Sequence, residues 1–179
     1  MGGSESKRAS PTEFNSPWRT MSWEILVVGE VGAGKSSFIN SVNNAFQGRI
    51  TSGALVDGIG GTSFTKAYKT HYIEGKDGSP LPFVFNDIMG LEDKESGAPE
   101  QDIIKALHGF LQEGHKFNPA SPLTPNDPGY RSNPSVEDQT FCLVNVIAAD
   151  KVSLMHDGVF EKLKKIRQEA SNLSKPVFM

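Results

Sequence analysis

Gly29-Glu30-Val31-Gly32-Ala33-Gly34-Lys35-Ser36 fits the pattern G-x-x-x-x-G-K-[ST], and this stretch constrains the fold more than any other. A loop of this kind works only between a strand and a helix. Its backbone N–H groups must converge on an anion while the following helix turns its positive end toward the same point. The flanks have that form. Trp23 to Val28 is a short apolar run that predicts a buried strand. Beyond the loop, Phe38, Ile39, Val42, Ala45 and Phe46 recur at helical spacing, with Gly48 as a stop. Gly29, Gly32 and Gly34 free the backbone from a β-carbon, and Glu30, Val31, Ala33 and Ser37 complete the cradle. Lys35 is expected to reach the β- and γ-phosphates, and the Ser36 hydroxyl to ligate Mg²⁺.

A chain of 179 residues suits one domain with a core of its own. The net charge of -3, with no basic cluster interleaved with aromatics, argues against general nucleic-acid binding. Cys142 is the only cysteine, so an internal disulfide is impossible and a reducing compartment fits best. No apolar run approaches a membrane span and no secretory signal is visible, so the expected location is cytoplasmic.

Residues 1 to 22, rich in Ser, Pro, Gly and charge, read as a disordered tail, and residues 23 to 179 as the domain. Met1-Gly2-Gly3-Ser4-Glu5-Ser6 fits the myristoylation pattern with Gly2 as acceptor. One acyl chain beside only Lys7 and Arg8 would give weak, reversible membrane contact. The glycine-rich stretch from Gln47 to Lys66 is too long for an ordinary connection. It sits where nucleotide hydrolases place a segment that orders around the γ-phosphate, with Thr62, or else Thr65, completing the Mg²⁺ shell.

Ala67 to Ile73 alternates as a half-buried strand, and Leu81 to Phe85 is its return partner after a Gly75–Gly78 turn. The return strand runs into Asp87-Ile88-Met89-Gly90, a D-x-x-G about 50 residues after the loop. Asp87 is expected to hold Mg²⁺ through water, and the Gly90 N–H to meet the γ-phosphate. Leu91 stands where a water-orienting glutamine would be wanted, which predicts slow hydrolysis or none. Glu92, Asp93 and Glu95 lie nearby, and no catalytic base is assigned. A helix is expected over 99–112, an ordered or flexible Pro-rich insert over 117–136, a central strand over 139–149, a helix over 157–173 and a strand from Pro176. His71 needs no role beyond a strand face, and His108 and His115 lack metal-spaced partners.

The run GEVGAGKSSFINSVNNAFQGRI, then KDG, LPF, D-x-x-G-L, a helix and FNP, resembles the interferon-induced protein 44 family, including its 44-like member. The resemblance implies a P-loop GTP-binding domain of Ras-like α/β fold. Its sheet would be mostly parallel and doubly wound, with one antiparallel hairpin strand. It also implies a cytoplasmic role in antiviral or innate immune responses, with GTP or GDP and Mg²⁺ bound at Gly29 through Ser36, Asp87 and Gly90. It supplies no catalytic residue. Full-length members carry an N-terminal TLDc domain, for which the short tail here has no counterpart. The guanine-reading string [NT]-K-x-D occurs nowhere in the sequence, so guanine specificity rests on the resemblance alone. A domain stopping at Met179 is expected to lack its last strands and helix, and so to be a fragment, a truncated isoform or a form that dimerises. Two other functions stay open: a non-catalytic interaction module acting on immune signalling partners with weak nucleotide binding, and an ATPase or nucleotide kinase.

Overall fold

A computed structural model describes residues 22–50, 66–93 and 96–179. Gly2, Thr62, Thr65 and Glu95 lie outside the described residues.

The chain alternates strands and helices: β1 (Trp23–Val28), α1 (Lys35–Gln47), β2 (Lys69–Glu74), β3 (Pro80–Asp87), α2 (Glu100–Leu107), β4 (Thr140–Asn145), α3 (Asp157–Asn172) and β5 (Val177–Phe178). The strands form one mixed sheet in the order β2-β3-β1-β4-β5. β1 runs parallel to β3 and β4, β4 runs parallel to β5, and only the β2–β3 pair is antiparallel. The architecture is thus mixed α/β with a mostly parallel sheet and three α-helices among the described residues.

β1 is central, so both its faces need apolar side chains, and its sequence is a continuous run rather than an alternation. Ile25 and Val27 turn to one side, where Phe38, Ile39 and Val42 of α1 pack with Ile73 and Phe85. Leu26 and Val28 turn to the other, against Ile103, Ala106 and Leu107 of α2 and Val159, Leu163, Ile166 and Ala170 of α3. Two helical layers therefore sandwich the sheet, and the period-2 geometry of one strand divides the core between them.

The structure trims two expected elements and orders a third. α2 stops at Leu107 rather than running to Gln112, and Gly109 follows with φ +84°. Leu111 is nonetheless buried, carried into the core by an extended segment that bridges to Tyr130. β4 leaves the sheet after Asn145, although the Val146 N–H still donates to Val28 O at 2.8 Å. The Pro-rich insert is ordered by short polar turns. The Thr124 N–H and Oγ1 both donate to Asp127 Oδ2, and Ser135 does the same to Asp138 Oδ2. The insert sends Phe117 and Leu123 into the main core. It also runs beside the lead-in to β2, with Phe117 N–H donating to Lys66 O, Tyr68 N–H to His115 O and Gly114 N–H to Tyr68 O.

One end of the sheet is apolar on its surface. Trp23 and Phe141 meet edge to face at 4.0 Å, and with Ile25, Phe83, Cys142, Pro176 and Phe178 they line a groove of about 390 Å³.

Candidate functional site

In open parallel sheets, ligands sit beyond the carboxyl ends of the strands, where the chain passes from one face of the sheet to the other. Here that place is the end of β1: α1 leaves it toward one face, and α2 and α3 cover the other. Three neighbouring strand ends deliver residues to it, Gly29 after β1, Asp87 at the end of β3 and Asn145 at the end of β4.

The loop from Gly29 to Gly34 is held from two sides. The Leu91 N–H donates to Gly29 O at 2.9 Å and the Val31 N–H to Leu91 O at 3.1 Å, so residues 29–31 and 91 pair like a short parallel ladder. This brings Gly90 against Val31 so closely that a β-carbon on it would stand 2.7 Å from the Val31 Cα. On the other side, a β-carbon on Gly29 would overlap the Val146 carbonyl. Both glycines are required by the approach of neighbouring backbone.

α1 begins directly from the loop. Gly34 is its N-cap in the left-handed region, no side chain caps the helix, and the first turn holds no acidic residue. The positive end of the helix is therefore not neutralised by a carboxylate of its own. Lys35, 6% exposed, folds its ammonium back across the loop, donating to Gly29 O at 3.3 Å and Glu30 O at 3.2 Å. Ser36, 7% exposed, donates from Oγ to Asp87 Oδ2 at 2.8 Å, and Asp87 is itself buried. The structure thus joins the two sequence motifs directly: the last residue of one and the first residue of the other share a hydrogen bond across 51 residues.

His71, beside Asp87 on the neighbouring strand, is pushed below the ordinary histidine range by burial, against the opposite pull of the Asp87 charge. It is accordingly a neutral ring near pH 7. Asn145, 5% exposed, has a buried Oδ1 with no hydrogen-bond partner among the described residues. Leu91 is fully buried in the core beneath the loop and presents no polar group. Asp93 lies within 3.8 Å of His156 Nδ1, and the carbonyl of Glu92 accepts from Lys162 Nζ at 2.7 Å, so the start of α3 holds the segment after Gly90.

The structure brings Gly29, Glu30, Val31, Gly32, Ala33, Gly34, Lys35, Ser36, Asp87 and Gly90 to one locus, with Ser37 exposed on the first turn of α1. Thr62 and Gly2 fall outside the described residues. Two features escaped sequence reasoning. Neither Asn145, at the end of a strand, nor Lys151, in the turn after β4, was tied to the loop by any motif. The Lys151 Nζ lies beside Gly32, where a β-carbon would be 3.8 Å away. Only the register of β4 against β1 brings that turn to the loop, and no local pattern encodes it. Among the described residues, no three His, Cys, Asp or Glu side chains gather as a metal cluster, and no helix is long and apolar enough to cross a membrane.

No protein-family model and no solved structure matches the chain. Curated sequences do. Human interferon-induced protein 44 is 40% identical over 149 residues, and human interferon-induced protein 44-like is 36% identical over 150, each alignment covering 83% of this chain. Mouse interferon-induced protein 44 is 36% identical over 146 residues, 81% of this chain. The chain spans about a third of the length of these relatives, 33 to 34%. On identity sustained across most of its residues, the chain belongs to the interferon-induced protein 44 family.

Proposed function

We propose that the chain is a guanine-nucleotide-binding domain of Ras-like P-loop type that binds GTP or GDP with Mg²⁺ and hydrolyses GTP slowly or not at all. The observation that carries the proposal is the Ser36–Asp87 hydrogen bond. A serine at the start of a helix and an aspartate at the end of a strand, both buried and 2.8 Å apart, are the two protein oxygens a phosphate-bound Mg²⁺ needs. The donor set fits the ion: hard oxygen ligands, few in number, leaving room for water and phosphate oxygens. The uncapped start of α1 and the buried ammonium of Lys35 fit the phosphates. The strand order, with its single antiparallel pair next to β3, is in keeping with the G-domain form of the fold.

In this reading Lys35 neutralises phosphate charge, Ser36 and Asp87 hold the metal, and the Gly90 N–H senses the terminal phosphate. Thr62 would complete the metal shell. Bound Mg²⁺ would supply charge neutralisation between the phosphates. Slow turnover follows from Leu91, whose buried side chain can neither orient nor activate water. The names of the relatives support an interferon-induced protein of the immune response, and a cytoplasmic, antiviral setting is part of the same proposal.

Calorimetric titration with GTP, GDP and ATP, each with and without Mg²⁺, tests it. Guanine nucleotides should bind in the micromolar range or tighter, more weakly without the metal. Lys35→Ala should weaken binding by at least about 100-fold, the loss of a charge-assisted contact to phosphate. Heat signals alike for all three nucleotides, or none, would defeat the proposal. They would favour a non-catalytic interaction module, which the exposed aromatic groove at Trp23, Phe141 and Phe178 supports independently.

A further inference from the structure

One charged group beside the loop has no part in the Lys35, Ser36 and Asp87 constellation. After β4 the chain turns back at residues 148–154, with the Lys151 N–H donating to Ala148 O at 3.0 Å and the Leu154 N–H to Lys151 O at 2.9 Å. These two bonds anchor the Lys151 backbone on both sides. The segment that follows is anchored in turn: Met155 packs on the core, His156 approaches Asp93, and the Asp93 carboxylate lies against Gly158. The same turn therefore sets both the lysine and the chain after Gly90.

The lysine ends at the loop. Its Nζ would be 3.8 Å from a β-carbon placed on Gly32, the exposed fourth residue of the motif. The lysines that follow it on α3 are engaged: Lys162 with the Glu92 carbonyl, Lys164 with Glu161 and Lys165 with Glu100. Among the described residues, none holds the Lys151 ammonium in a hydrogen bond or an ion pair. A cation placed without an acceptor beside an anion cradle has an acceptor when the anion is present.

We infer that Lys151 is a second phosphate-contacting residue of this site, acting from the exposed rim of the loop while Lys35 acts from its buried side, and that it favours nucleoside triphosphate over diphosphate. The inference deepens the proposed nucleotide reading and rests on it. The preference follows from charge: each added phosphate raises the anionic charge that the single buried ammonium of Lys35 would otherwise meet alone.

The test is calorimetric titration of the full chain with a non-hydrolysable GTP analogue, GDP and inorganic triphosphate in Mg²⁺ buffer, at two salt concentrations. Lys151→Ala should weaken the analogue and inorganic triphosphate about tenfold and GDP no more than about threefold, with a shallower salt dependence. Lys151→Arg should recover most of the loss, and Lys164→Ala, a charge deletion on the wet face of α3, should change nothing. If Lys35→Ala abolishes binding while Lys151→Ala leaves every affinity and salt slope within twofold of the parent, the Lys151 assignment alone is wrong. If Lys35→Ala binds like the parent, the nucleotide reading fails and takes this inference with it.

Discussion

Glu24 of β1 and Asn86 of β3, two positions out of register, meet through their side chains, the Asn86 Nδ2 donating to Glu24 Oε2 at 2.6 Å. Burial pushes the Glu24 carboxyl above the ordinary glutamate range, and the hydrogen bonds from Asn86 and Ser22 only partly reverse it. A group whose pKa is raised by folding stabilises fully below its unfolded value, near 4.3, and loses that contribution as pH climbs through the folded value. Glu24→Gln should therefore raise the unfolding midpoint at pH 7 and leave it unchanged near pH 4; a variant equally shifted at both would show the effect to be packing instead. Single residues were unevenly legible. That Gly29 and Ser36 lie where a strand passes into a helix follows from the motif and its flanks. The burial of Leu91 does not, since it depends on a ladder between residues 29–31 and 91 that no window of sequence contains. Lys151 lay hidden for the same reason.

α2 and the insert after it form one cooperative unit around Asp102. This fully buried carboxylate accepts the Leu123 N–H at 2.8 Å and the Lys105 ammonium at 3.2 Å through one oxygen. The other oxygen lies 3.7 Å from His115 Nε2. Asp102→Ala should destabilise the chain by about 2–3 kcal/mol, because it strands the Leu123 amide and removes the counter-charge of Lys105. Urea unfolding measures that loss, and limited proteolysis should find new cleavage between 112 and 130. An unchanged urea midpoint would mean the insert is held by other contacts. Helix and strand types were readable from periodicity, and even the two-residue β5 was foreshadowed by Pro176 to Met179. The insert was not, because its prolines and polar turns resemble a solvent loop while two buried side chains, Phe117 and Leu123, do the anchoring. Sequence pattern registers the many exposed residues, whereas the fold depends on the two buried ones.

Across the whole molecule, the glycine loop and the aromatic groove lie toward opposite ends of β1, the loop after Val28 and the groove around Trp23. The groove exposes Trp23, Phe141 and Phe178, so an environment-sensitive apolar dye should bind the native chain. Phe141→Ser with Phe178→Ser should lower that signal several-fold without altering nucleotide binding; a dye signal untouched by the pair would place the apolar surface elsewhere. The mostly parallel sheet with one antiparallel hairpin strand was legible in outline, whereas the order of its strands was not. The division of the core between two faces emerged only from the contacts of β1. That strand also leaves the ribosome before either of the strands that flank it. Its partners β3 and β4 end at Asp87 and Asn145, so at about 5–20 residues per second β1 waits on the order of ten seconds with at least one edge unpaired. The nascent chain is therefore most vulnerable to mispairing, and most in need of chaperone cover, while the Pro-rich insert is being translated.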